Sequence, residues 1–131
     1  MLHSERSRWK RFSPQDKVRV FVAGVRFAVL HDHNVAIQMA ISISVMALAF
    51  WLRAWFDFVL IMIVTGNIVV FEMLNTAVEA ICDYIQPKHD PRIGAIKDLA
   101  AAATGIALII WIVVILYEIL RIFALLGNTA G

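Results

Sequence analysis

The chain has 131 residues, of which 61% are hydrophobic and only 17% charged. That apolar excess excludes an ordinary soluble domain of this size, and a net charge of +2 gives no sign of a nucleic-acid binder. The single cysteine, Cys82, excludes an internal disulfide.

Ser13-Pro14-Gln15-Asp16 reads as a helix start, with Ser13 as cap, Pro14 at the first helical position and Asp16 reaching back. Val18, Phe21, Val22, Val25 and Val29 then follow at helical spacing, and Arg19 and Arg26 share the opposite face. This predicts an amphipathic helix over 13–31 lying along the inner membrane surface, its cations at anionic headgroups. It serves either as an anchor alone or also as a contact, through Lys17, Arg19 or Arg26, to an anionic substrate. The first 34 residues lack an uninterrupted apolar core and a small-residue cleavage site, so no cleavable signal peptide is expected. His31-Asp32-His33-Asn34 breaks this helix from the next. Its two histidines would face different sides of a helix, which favours a solvated turn over a metal site.

Three spans follow, at 35–53, 56–85 and 95–122, within one domain covering 1–131. Val35–Leu52 and Leu99–Tyr117 carry no charge and are long enough for a hydrocarbon core of ~30 Å. Phe58–Phe71 is uncharged but short. Asp57 and Glu72 bracket it 15 residues apart, or ~22 Å of helix. Ionisable groups must therefore sit at the edge of the bilayer, with the helix continuing so that Glu79 and Asp83 emerge into the headgroups. Seven of the 12 lysines and arginines precede the first span: Arg6, Arg8, Lys10, Arg11, Lys17, Arg19 and Arg26. Arg53 alone lies in the first loop, against Lys88, Arg92 and Lys97 in the second. This bias places the N-terminus and second loop in the cytoplasm and the C-terminus outside. Trp51 and Trp55 fit an outer aromatic belt, Trp9 and Tyr84 an inner one. Gln86-Pro87-Lys88-His89-Asp90-Pro91 forms the second loop. Beyond it, Ala100 to Ala103, Thr104 and Gly105 predict close packing of the third span at its cytoplasmic end. Glu118 and Arg121, three apart, read as a helix-surface pair near the outer end.

The most informative feature is a stripe: Glu72, Asn75, Glu79 and Asp83 fall within an arc of roughly 80° on one helix. A carboxylate inside a membrane is costly, and several aligned ones ask for a function. With Asp32, Lys97 and Asp98 they gather at the cytoplasmic boundary. Carboxylates and an amide suit Mg²⁺, which takes one or two carboxylates together with substrate phosphates. A lysine can neutralise phosphate oxygens. Glu72, the deepest acid, is placed to act as general base toward a hydroxyl. The parts suit phosphoryl transfer from a cytoplasmic nucleotide to a hydroxyl held in the membrane. The same groups would also serve a small transporter or channel, or a bundle using them as packing glue. There is no GxxxxGK[ST] loop and no protein-kinase signature.

The segment Phe71-Glu72-Met73-Leu74-Asn75-Thr76-Ala77-Val78-Glu79-Ala80-Ile81-Cys82-Asp83 resembles the signature of the prokaryotic diacylglycerol kinase family, which includes the undecaprenol kinases. A second element, Ala95-Ile96-Lys97-Asp98-Leu99-Ala100-Ala101-Ala102-Ala103, stands at the family's distance, and the resemblance runs from about Ser13 to Leu120. It implies an all-α integral membrane lipid kinase of the bacterial inner membrane: an N-terminal surface helix and three transmembrane helices, assembled as a homotrimer with sites shared between subunits. By position, Glu72 resembles the catalytic base. Asn75 and Asp98 position substrate and phosphate; Glu79, Asp83 and Lys97 bind MgATP; and Glu79 with Asp32 holds Mg²⁺. The family usually carries Glu where this chain has Asp32, which leaves a noncatalytic member of the kinase fold as an alternative. The acceptor is diacylglycerol or undecaprenol, and the Pro87, His89, Pro91 loop is more similar to the undecaprenol branch.

Overall fold

The computed structural model describes residues 14–86, 88 and 90–129. The expectations on Arg6, Arg8, Trp9, Lys10, Arg11, Ser13, Pro87 and His89, and on the His31 side chain, lie outside the described residues. Four helices make up the fold: α1 (Pro14–His31), α2 (His33–Trp51), α3 (Trp55–Ile85) and α4 (Pro91–Thr129). No strand occurs among the described residues. Three stretches are long and apolar enough to cross a membrane: α2, α3 and Pro91–Gly127 of α4.

Local chemistry sets the helix ends. Pro14 and Pro91 each occupy a first helical position, where the missing N–H costs nothing. Asp32, with extended backbone, caps α2 by accepting the Asn34 N–H at 2.9 Å, so the break between α1 and α2 is this single residue. Asp90 accepts the Arg92 N–H at 2.8 Å and caps α4 in the same way. The α2–α3 turn is a Schellman motif: Ala54 N–H reaches the Ala49 carbonyl at 2.9 Å and Arg53 N–H the Phe50 carbonyl at 3.1 Å. Arg53 holds the left-handed position of that motif at φ 56, where glycine is the usual residue.

Length then decides where polar groups stand. With 19 residues, α2 measures ~28 Å and just spans a hydrocarbon core of ~30 Å. The 31 residues of α3 reach ~46 Å and the 39 of α4 ~58 Å, so both overrun it. The overrun beyond Glu72 carries Glu79 and Asp83 on α3, and Lys97 and Asp98 lie opposite on α4.

The core forms where α2, α3 and α4 meet. Val45, Ala49, Ile61, Val64, Ile68, Ala107, Trp111, Ile115 and Ile122 are buried together. At its centre the Ser42 hydroxyl accepts from Thr65 Oγ1 at 2.8 Å and from Trp111 Nε1 at 3.0 Å. One small polar atom thus links three helices at a depth where no water would satisfy the donors. Nearer the Glu72 end, Thr104 Oγ1 donates to the Phe71 carbonyl at 3.2 Å, which needs a close approach of the α3 and α4 backbones. The small residues around Thr104 permit it. Helix α1 packs through Ala28, with Val29, against Val35, Val69, Met39 and Met73. Its Val18, Phe21 and Val22 remain exposed.

At the opposite end the expected surface pair of Glu118 and Arg121 is corrected. Arg121 Nη1 instead donates to Asp57 Oδ1 at 2.7 Å, across the α3–α4 interface, and both Asp57 and Glu118 are fully buried. An exposed pair three residues apart gains only ~0.2–0.5 kcal/mol. A buried carboxylate has lost its hydration and draws the guanidinium far more strongly. Sequence spacing along one helix does not reveal the neighbour that wins. Arg121→Met, which strands Asp57, is expected to cost about 3–5 kcal/mol. Chemical unfolding in detergent micelles would read the loss, and replacing Asp57 and Arg121 together by leucine should restore most of it.

Candidate active site

On the C-terminal half of α3, Glu72 is buried while Asn75 is half-buried and Glu79 and Asp83 are exposed. The stripe thus climbs out of the apolar core as the helix rises. Intervals of three and four residues keep the side chains on one face. Asn75 Nδ2 donates to Glu79 Oε1 at 3.2 Å, one helical turn on. The Oδ1 atom of Asn75 is buried without a partner. Lys97 of α4 donates to Asp83 in an exposed ion pair and lies within electrostatic reach of Glu79. Asp98 is exposed.

A cavity of about 550 Å³ opens between α1, α2 and α3. Asp32, Glu72 and Glu79 line it together, beside Gly24, Met73 and Thr76. The charges of Asp32 and Glu79 both act on Glu72. Of the residues expected in the site, the fold therefore brings Asp32, Glu72 and Glu79 to one cavity. It ties Asn75 to Glu79 and Lys97 to Asp83. No contact joins Asp98 to either group.

The carboxylate oxygens facing this cavity are hard donors of the kind Mg²⁺ takes. Among the described residues no three His, Cys, Asp or Glu side chains stand close enough to cage a metal by themselves. Asp32 has a second task here as the cap of α2. A short side chain is what a helix cap requires, which accounts for Asp at a position where a longer acid would reach past the Asn34 N–H.

Three contacts were not foreseen from the sequence. Gln38 of α2 is buried and its Nε2 donates to Glu72 Oε1 at 3.5 Å. Thr76 Oγ1 donates to the Glu72 carbonyl at 3.0 Å. Thr104 fixes the backbone one residue before Glu72 through the Phe71 carbonyl. The available signal was Gln38 itself, an amide in an otherwise apolar span, since intramembrane amides are rarely left without a partner.

Residues 19–119 match the family model for prokaryotic diacylglycerol kinase. The match covers most of the chain, and the protein belongs to this family of lipid kinases. Three apolar helices of spanning length in such a family make it an integral membrane protein. No curated protein and no solved structure matches the chain.

Capping and charge at Asp32 are separable by substitution. Asp32→Ala is expected to lower stability by about 1 kcal/mol through loss of the cap, whereas Asp32→Asn keeps it. Unfolding midpoints of the two variants in micelles would check the difference.

Proposed function

We propose that the chain transfers the γ-phosphate of MgATP to the primary hydroxyl of a membrane lipid alcohol, diacylglycerol or undecaprenol. The observation that carries this reading is the single cavity shared by Asp32, Glu72 and Glu79 at the end of the apolar spans, with Lys97 within electrostatic reach of Glu79. A second cavity of about 340 Å³, almost wholly apolar, adjoins it and shares Met73. A cavity with acids in its wall beside an apolar groove suits a lipid with a reactive head and a hydrocarbon body. Met39, Met46 and Met62 also line the groove, and flexible thioether side chains accommodate chains of different shape.

In this reaction Glu72 takes the proton from the lipid O–H as its oxygen forms a bond to the γ-phosphorus. The bond from that phosphorus to the β–γ bridging oxygen breaks, and ADP leaves with the electron pair. Position and electrostatics supply most of the catalysis in such transfers. Asp32 and Glu79 would hold Mg²⁺, which when bound neutralises charge on the phosphate oxygens. Lys97, held by its pair with Asp83, presents its ammonium to the same oxygens. Asn75 positions substrate through its unpartnered Oδ1, and Asp98 orients the nucleotide end. The extensive apolar surface of α2, α3 and α4 meets lipid and two further copies in a homotrimer, whose sites are completed between subunits. The cavity faces the cytoplasm, where ATP is found.

Purified protein in mixed micelles is expected to move label from γ-labelled ATP to diacylglycerol or a polyprenol, and to stop when divalent cations are chelated. Glu72→Gln should lower kcat by at least ~10²-fold, the usual contribution of a general base. Lys97→Met should act chiefly by raising KM for MgATP. Transfer by Glu72→Gln at an unaltered rate would overturn the assignment of the base, and nucleotide-independent cation flux in liposomes would favour a transporter.

A further inference from the structure

We infer that Gln38 is a positioning residue that fixes the Glu72 carboxylate for proton abstraction; this rests on the lipid-kinase reading above. Gln38 sits on α2, two turns beyond the Asp32 cap, and only 4% of its surface is exposed. Its Nε2 donates to Glu72 Oε1 at 3.5 Å, whereas its own Oε1 is buried with no partner. Packing alone does not explain this residue. A leucine would fill a similar volume among apolar neighbours without burying an unpaired acceptor.

The amide does two things for a base at this depth. It binds one carboxylate oxygen, so the side chain cannot rotate freely and its other oxygen, Oε2, is the one left for the substrate hydroxyl. It also supplies a fixed dipole where water is excluded and where Asp32 and Glu79 both repel the Glu72 charge. Thr76 and Thr104 hold the backbone on either side of Glu72, through the carbonyls of Glu72 and Phe71. Backbone and carboxylate are thereby restrained from three helices. A glutamate set this way meets the hydroxyl in one geometry, which is what a general base at hydrogen-bond distance requires.

The test compares Gln38→Leu, Gln38→Met and Gln38→His with the wild type in mixed micelles, reading kcat, both KM values and the unfolding midpoint. Leu and Met are expected to lower kcat about tenfold or more, leave KM for MgATP unchanged and not lower the midpoint. Histidine carries an N–H at a comparable reach and should recover a substantial part of kcat. A Leu or Met variant with kcat within twofold of wild type overturns the inference. So does a loss that histidine fails to repair, or one matched by a fall in the midpoint of all three variants. If the wild type itself transfers no phosphate to any lipid alcohol, the lipid-kinase reading fails instead. The two failures are therefore distinguishable.

Discussion

The cost of removing charge from water organises this molecule. A carboxylate or ammonium at the centre of a hydrocarbon layer costs several kcal/mol, and that penalty falls away within a few ångströms of the headgroups. The chain has ten acidic residues, and of those in its two long helices Asp57, Glu79, Asp83 and Asp98 lie toward helix ends. Glu72 is the innermost at its end of α3. Beyond it Glu79 and Asp83 occupy the length by which α3 overruns the apolar layer, so the excess length of one helix creates the polar face.

The same penalty is answered differently at the two ends. Around Glu72 the groups are spread along a cavity, with Gln38, Asn75 and Lys97 each meeting one carboxylate. Oxygens there stay open to a ligand. At the other end Asp57 and Glu118 lie fully buried and Arg121 is shared between α3 and α4. That arrangement ties α3 to α4 inside the bundle. A protein that must both hold together and bind a charged substrate benefits from this separation. Rigidity sits in the apolar seam from Ser42 to Ile122, and access sits where α1 packs loosely over α2 and α3.

Membership of the prokaryotic diacylglycerol kinase family gives these features a common purpose. On the proposed reading the lipid acceptor stays in the bilayer and the nucleotide stays out of it, so chemistry between them has to occur at the boundary. A cavity with acids in its wall, sharing Met73 with a methionine-lined groove, suits both demands. Asp32 joins local structure to chemistry: the carboxylate that ends one helix and starts the next also faces Glu72.

The sequence alone determined the helices and the acidic stripe. Both follow from local rules: hydrophobic runs of spanning length, prolines at first helical positions, and a spacing that keeps Glu72, Asn75, Glu79 and Asp83 on one face whatever the helix packs against. Tertiary structure alone decided the partners. Nothing along α4 indicates that Arg121 turns to Asp57 rather than Glu118, and nothing along α2 indicates that Gln38 reaches Glu72, 34 positions away. Such contacts depend on the rotation and depth of one helix against another. Those are fixed by side-chain packing over the whole interface, through residues such as Ser42, Thr104 and Trp111, and periodicity within a single helix carries no record of them.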